Sequence, residues 1–166
     1  MEPVDVLRAL PIFKGLTDEQ LATVSAVLVR RKVDARESIF HEGDRSTTMY
    51  VLVSGSVGTT KRMGLAVRDP SVPAREKVLV HLAAPQFFGE MGLLTDAGRS
   101  ASITTDTDCE VLELRRADFE RLTTADPLLG YRLMRNVAVV LADRLRSTDL
   151  DVLKLTTALS LALGNR

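Results

Sequence analysis

Two residues of opposite charge mark the most chemically distinctive stretch of this 166-residue chain: Glu90 and Arg99, within FFGEMGLLTDAGRSAS, from Phe87 to Ser102. Glu90 follows Gly89 and stands at the start of a short apolar turn, Met91 to Leu94. Arg99 stands one polar loop later, after Thr95 to Gly98. The residues behind the arginine, Ser100, Ala101 and Ser102, are small and leave backbone N–H groups open beside a fixed cation. N–H donors together with a guanidinium suit the oxygens of a phosphate, which only accept. A carboxylate within reach accepts from sugar hydroxyls. The chemistry these residue types support is recognition of a phosphate ester carried on a sugar.

The remaining composition sets the setting for such a cradle. Lys plus Arg number 22 and Asp plus Glu number 22, so the net charge is zero. A protein that grips nucleic-acid phosphates shows a basic excess, so direct DNA binding is not expected. The one cysteine, Cys109, allows no internal disulfide and fits a reducing compartment. It lies in an apolar strand-like run and reads as a buried bystander. The start, MEPVDVLRAL, lacks the long apolar core of a secretory signal, and no apolar run approaches a membrane span. The expectation is a soluble cytoplasmic protein of a single domain over 1–166, long enough to bury a proper core.

The elements that must hold the cradle follow from periodicity. N-terminal helices are expected over 1–29: a short one at 4–10 ended by Pro11, and a second over 17–29. The second opens on a capping box, Thr17 with Gln20, with Leu16 and Leu21 as a hydrophobic staple. From Arg30 the period changes to two. Short strands are expected at Arg31–Val33, Ser38–Phe40, Met49–Ser54, Ser56–Arg62, Lys77–Ala83, Ala101–Thr105 and Cys109–Leu114, with turn signals between them. Many short strands with tight turns predict a sandwich, barrel or jelly roll over 30–115. The one long connection, Met63 to Glu76, carries Pro70 and Pro73 and reads as an extended loop.

C-terminal helices are expected over 116–163. Ala117 to Thr123 forms one. The next starts at Asp126 as N-cap with Pro127 behind it and runs to Leu163. In it Leu141, Leu145, Thr148, Val152, Leu155, Leu159 and Ala162 alternate at spacings of four and three, a seam able to pack on another helix. Leu150, Leu153, Thr157 and Leu161 form a second stripe. Two apolar faces need two covers, one the protein's own sheets and the other a symmetry mate.

Helices, then a small β-roll, then a long helix resemble the cyclic nucleotide-binding domain family shared by the bacterial catabolite activator protein, protein kinase A regulatory subunits and cyclic-nucleotide-gated channels. The resemblance covers nearly all of the chain. It rests on LPIFKGLTDEQL, the IFHEGD turn and the MYVLVSGSV hairpin. Most of all it rests on a phosphate-binding cassette at 87–102, with FGEMGLL, a short loop, then RSAS. The implied fold is mainly β with flanking helices: a jelly-roll barrel (double-stranded β-helix) with N-terminal helices and a long C-terminal lid or dimerisation helix.

The resemblance also implies roles. Gly89 lets the backbone approach the ribose, Glu90 accepts from its 2′-hydroxyl, and Met91 follows in the cassette helix. Arg99 pairs with the exocyclic phosphate oxygens, helped by Ser100 and the backbone near Ala101. Leu79, Val80 and Thr59 wall the base, and Thr148 lies near its edge. The ligand implied is cyclic AMP or cyclic GMP, with no metal. The chain is then a regulatory domain and no enzyme, a homodimer through its C-terminal helix, acting on an effector that the sequence does not name. It contacts neither DNA nor membrane.

Alternatives stand beside this. Glu90 and Arg99 can form an ordinary surface ion pair; separately, the chain can be a degenerate member that keeps the fold as a dimerisation or docking module without nucleotide, a reading the intact Glu90 and Arg99 argue against. A metal-dependent jelly-roll enzyme of the cupin type would need ligands, yet the two histidines, His41 and His81, lack paired spacing. Phe87 and Phe88 read as core anchors.

Overall fold

The computed structural model describes residues 2–62 and 76–164. Among the described residues eight strands carry the middle of the chain: β1 (Val29–Val33), β2 (Ser38–Phe40), β3 (Thr48–Ser54), β4 (Ser56–Arg62), β5 (Glu76–Ala83), β6 (Gln86–Phe88), β7 (Ser102–Thr105) and β8 (Cys109–Arg115). They form two four-stranded antiparallel sheets, ordered β1-β8-β3-β6 and β2-β7-β4-β5. The expected jelly-roll arrangement is present, as two facing open sheets instead of a closed hydrogen-bonded barrel. The connection expected from Met63 to Glu76 lies outside the described residues, apart from the backbone of Glu76 that opens β5.

Strand alternation builds two cores from one sheet. In β3, Met49 and Val51 face one apolar cluster while Tyr50 and Leu52 face the other. β8 sorts in the same way, with Leu112 and Leu114 against Cys109 and Val111, and β6 divides Phe87 from Phe88. A period of two sends neighbours to opposite faces. The inner cluster fills the space between the sheets, where these side chains meet Phe40, Val57 and Ile103. The outer cluster is covered by helices: α1 (Pro3–Ala9), a 3-10 turn (Pro11–Phe13), α2 (Asp18–Ser25), α4 (Arg116–Ala125) and the first part of α5 (Pro127–Gly164). Both phenylalanines are core anchors, as expected.

Local chemistry sets the starts of α2 and α5. The capping box at α2 is formed, with Gln20 N–H donating to Thr17 Oγ1 at 3.2 Å and Thr17 N–H to Gln20 Oε1 at 3.3 Å. The helix stops at Ser25, short of the expected residue 29, because Val29 already pairs with Glu113 in the sheet. β6 was not expected: Gln86–Phe88 runs straight into the cassette stretch without a turn signal of its own, and it is strand because it pairs with β3. Cys109 is buried, its thiol 3.3 Å from Ser56 O and 3.2 Å from Thr107 O, and burial pushes its pKa up. Among the described residues no helix is long and apolar enough to cross a membrane.

α5 is two structures in one helix. Asp126 caps it, accepting from the N–H groups of Leu128 and Leu129 at 3.0 Å. Leu129, Leu133 and Val137 are buried in the outer core, and Asn136 donates to Ile12 O at 3.1 Å and Lys14 O at 2.8 Å. After Leu141 the burial ends, and residues 142 to 163 are all exposed. The second stripe and the seam from Val152 onward therefore lie clear of the sheets, while Leu141 packs on the outer core and Thr148 borders the cassette. The expected division, one stripe on the protein's own sheets and one on a mate, is corrected: the sheets are covered by the first part of the helix, and the second part extends past them.

Candidate functional site

The cassette is built around the Arg99 guanidinium. Gly89 and Gly92 allow the close approach. Gly89 has φ +77°, and a Cβ there would lie 2.7 Å from Arg99 Nη1; a Cβ at Gly92 would lie 2.8 Å from Ser46 O and 2.9 Å from the same nitrogen. Only glycine satisfies both demands at position 89. The backbone it frees accepts from the arginine: Nη1 donates to Gly89 O at 3.0 Å, and Nη2 donates to Thr48 O at 2.6 Å and Ser46 Oγ at 2.7 Å. The guanidinium stacks 4.1 Å from the centroid of Phe40, a cation–π contact.

The groups around Arg99 are neutral oxygens and an aromatic ring. The arginine is 6% exposed, its Nε is buried without a partner, and among the described residues no carboxylate lies within ion-pair distance of it. Burial lowers its pKa, with the fields of Tyr50, Asp44 and Glu90 opposing. A guanidinium nonetheless stays charged at neutral pH. Holding an uncompensated buried ion costs several kcal/mol, a cost removed when an anion enters.

Glu90, 3% exposed, meets a different arginine. Its Oε1 accepts from Nη1 of Arg144, which reaches in from α5 with its guanidinium 5.3 Å from the Phe87 ring centroid. The alternative of a Glu90–Arg99 surface ion pair is thereby corrected: neither side chain is at the surface and they are not each other's partner. Two buried ions of opposite sign stay apart because each is held by other groups.

These residues line a cavity of about 470 Å³, within the range of small-molecule sites. One wall is the cassette (Gly89, Glu90, Met91, Arg99, Ser100, Ala101), the opposite wall is Thr59 with Leu79 and Val80, and α5 supplies Arg144, Ser147 and Thr148. Leu79 and Val80 are about half exposed, at 51% and 52%, and offer an apolar surface fit for a flat ring. The cavity thus has a cationic end, a carboxylate beside it and an apolar wall, a set suited to phosphate, sugar and base together.

Residues 30–126 match the family model described as the cyclic nucleotide-binding domain. The chain belongs to the cyclic nucleotide-binding domain family. It is 32% identical over 146 residues to the cyclic AMP receptor protein of Thermus thermophilus, covering 88% of this chain and 62% of that protein. A crystal structure of the Thermus thermophilus catabolite activator protein superposes with a TM-score of 0.74 at 32% identity, over 89% of this chain and 63% of the other. Glutaminase 1 of Bradyrhizobium diazoefficiens is 32% identical over 148 residues, 88% of this chain and 22% of the enzyme. The chain therefore spans less than two thirds of the length of these relatives.

In this cyclic nucleotide-binding domain, all ten residues singled out from the sequence border one cavity: Thr59, Leu79, Val80, Gly89, Glu90, Met91, Arg99, Ser100, Ala101 and Thr148. Thr148 does so with its hydroxyl turned back onto its own helix, donating to Arg144 O at 3.0 Å. Arg144 and Phe40 were not foreseen. A signal for Arg144 existed: it lies one helical turn before Thr148 on the same face, and a buried glutamate needs a cation. His81 pairs with Asp106 at 2.9 Å, and the described residues contain no group of three or more His, Cys, Asp or Glu able to hold a metal.

Proposed function

We propose that this chain is a regulatory sensor domain that binds cyclic AMP, with cyclic GMP the second candidate. The observation that carries this reading is the buried Arg99 with no carboxylate partner among the described residues, facing a cavity that also holds Glu90 and an apolar wall. A cyclic phosphodiester is a single negative charge, so one guanidinium neutralises it without overshoot. Arg99 takes the exocyclic oxygens, with Ser100 and the N–H of Ala101 beside it, and Glu90 accepts from the ribose 2′-hydroxyl through the oxygen not taken by Arg144. Leu79, Val80 and Thr59 flank the base, and Thr148 meets its edge. Charge-assisted bonds contribute about 1.5–3 kcal/mol each against about 4–15 kcal/mol for association, so the apolar wall and closure of α5 must add to the cassette.

The output proposed is a homodimer through the exposed seam of α5, signalling to an effector that is a separate protein or a further domain. The domain takes up all of residues 1–166, works in the cytoplasm, and carries out no catalysis and no DNA contact of its own. Nucleotide draws the part of α5 after Leu141 closer onto the cassette, since α4 and the first part of α5 already pack on the sheets and Glu90 already meets Arg144. Equal hydrogen-exchange protection of residues 126–163 with and without ligand would discard that mechanism.

A thermal-shift titration with cyclic AMP, cyclic GMP, 2′-deoxy cyclic AMP and linear AMP tests the reading. At a hundredfold excess over Kd, binding stabilises by about 2.7 kcal/mol, or about 5–11 °C for a chain of this size. One cyclic ribonucleotide should reach that shift, the deoxy analogue less, and linear AMP least. No shift with any of them at millimolar concentration overturns nucleotide sensing and favours a docking module built on the exposed stripes of α5.

A further inference from the structure

α3 (Met91–Leu94) is four residues long, far too short to persist on its own. Its last carbonyls have no intrahelical donors, yet it must hold Gly92 against Arg99. The donor it uses comes from another helix. Arg116, the first residue of α4, donates Nε and Nη2 to Gly92 O at 3.2 and 2.7 Å. Its guanidinium also meets Thr95 O and the Asp96 carboxylate.

Arg116 is oddly placed for a helix residue. A cation in a first turn opposes the helix dipole, and the α4 N-terminus has no side-chain cap. The side chain is only 19% exposed, so the position is not a solvated surface charge. Its charge instead complements the C-terminal end of α3, where carbonyls carry the negative pole. The backbone N–H of the same residue donates to Thr47 O at 2.9 Å, between Ser46 and Thr48, the two residues whose oxygens hold Arg99. One residue therefore fastens both sides of the phosphate-facing arginine: the strand start behind it and the glycine peptide packed upon it.

We propose that Arg116 is the positioning residue of the cassette, its guanidinium holding the Gly92 peptide against Arg99 and tying α3 to α4 as one body. The affinity consequence rests on the nucleotide reading above; the structural one does not.

The test uses the whole chain with Arg116→Ala, Arg116→Lys and Asp96→Ala. In ligand-free protein, hydrogen exchange of amides 89–99 should speed up at least about tenfold in Arg116→Ala, with the amides of β3 and β8 unchanged. Arg116→Lys keeps the charge but reaches fewer acceptors and should fall between. Asp96→Ala removes only an ion pair to a side chain 91% exposed and should match wild type. If wild type binds cyclic AMP, Arg116→Ala should weaken it about tenfold or more. Cassette exchange unchanged in Arg116→Ala overturns the proposal, and so does a uniform rise over the whole chain, which marks ordinary destabilisation. Should Arg116→Ala fail to fold, the Lys variant decides by the same two readouts. A wild type that binds no cyclic nucleotide refutes the functional reading alone and leaves exchange to judge Arg116.

Discussion

The cassette and the outer part of α5 break the usual burial rule in opposite directions. In the cassette, charge lies inside protein: Arg99 and Glu90 are 6% and 3% exposed. Along the outer helix, apolar side chains lie in water, with Leu155 at 70% and Leu161 at 67%. Buried charge and contiguous exposed apolar surface are the two informative departures from ordinary burial. They call for different partners. A cation held by neutral carbonyls inside a cavity is complemented by a small anion. Leucines at spacings of four and three are complemented by another helix. On the proposed reading, one fold carries a ligand end and an assembly end, joined where Arg144 leaves α5 to meet Glu90.

The largest effect that would break this contrast lies in the cassette. Arg99→Ala should weaken cyclic nucleotide binding by about a hundredfold or more, roughly the loss of two charge-assisted bonds, as read by calorimetric titration. Sedimentation of the same variant should be unchanged. Full affinity in Arg99→Ala would mean that the buried cation does not serve the ligand.

The next tests the helix alone. Leu155→Glu combined with Leu159→Glu should weaken self-association by about tenfold or more, since each buries a charge in the seam. Nucleotide affinity should stay near wild type, because neither residue borders the cavity. A wild-type chain that sediments as a monomer at every concentration would overturn the assembly half of the comparison.

The smallest effect sharpens where the covered part of α5 begins. The Asp126 carboxyl is held below its ordinary range by the N–H of Leu129 first, then by Gln20, whose Nε2 donates at 2.8 Å. A carboxylate with a depressed folded pKa stabilises fully above its unfolded value, near 4, and loses that contribution as pH falls through the folded value. Asp126→Ala should lower the melting temperature at pH 7 modestly, with the gap to wild type narrowing towards pH 3. A pH-independent gap in circular dichroism melts would assign the cap's effect to something other than its charge.

How far the sequence could be read depends on distance along the chain. Gly89, Glu90, Arg99 and Ser100 sit within one short stretch, and their demands are local: a positive φ, small neighbours, a short loop. The cassette was legible for that reason. The helix starts at Thr17 and Asp126 were legible because a cap bonds three residues ahead. Arg144 lies 54 residues from the glutamate it meets, and Phe40 reaches Arg99 from another strand; no local pattern links them. The end of α2 was misjudged because its apolar period continues after the backbone has been claimed by β8. Which core the N-terminal helices cover was not legible either: Val6, Leu7, Phe13 and Leu21 are fully buried and complete the outer core.

The sequence by itself determined the chemistry of the cassette, the positions of its glycines and the periodic faces of α5, because these depend on neighbours a few residues apart. Only the tertiary structure decided the rest. It assigned Glu90 to Arg144 and, among the described residues, gave Arg99 no carboxylate, since pairing buried ions depends on which segments the sheets bring together. It also divided α5 near Leu141, although the apolar pattern runs on unchanged. A periodic stripe states that a face wants cover; where the sheets end decides which part of it finds cover within the chain.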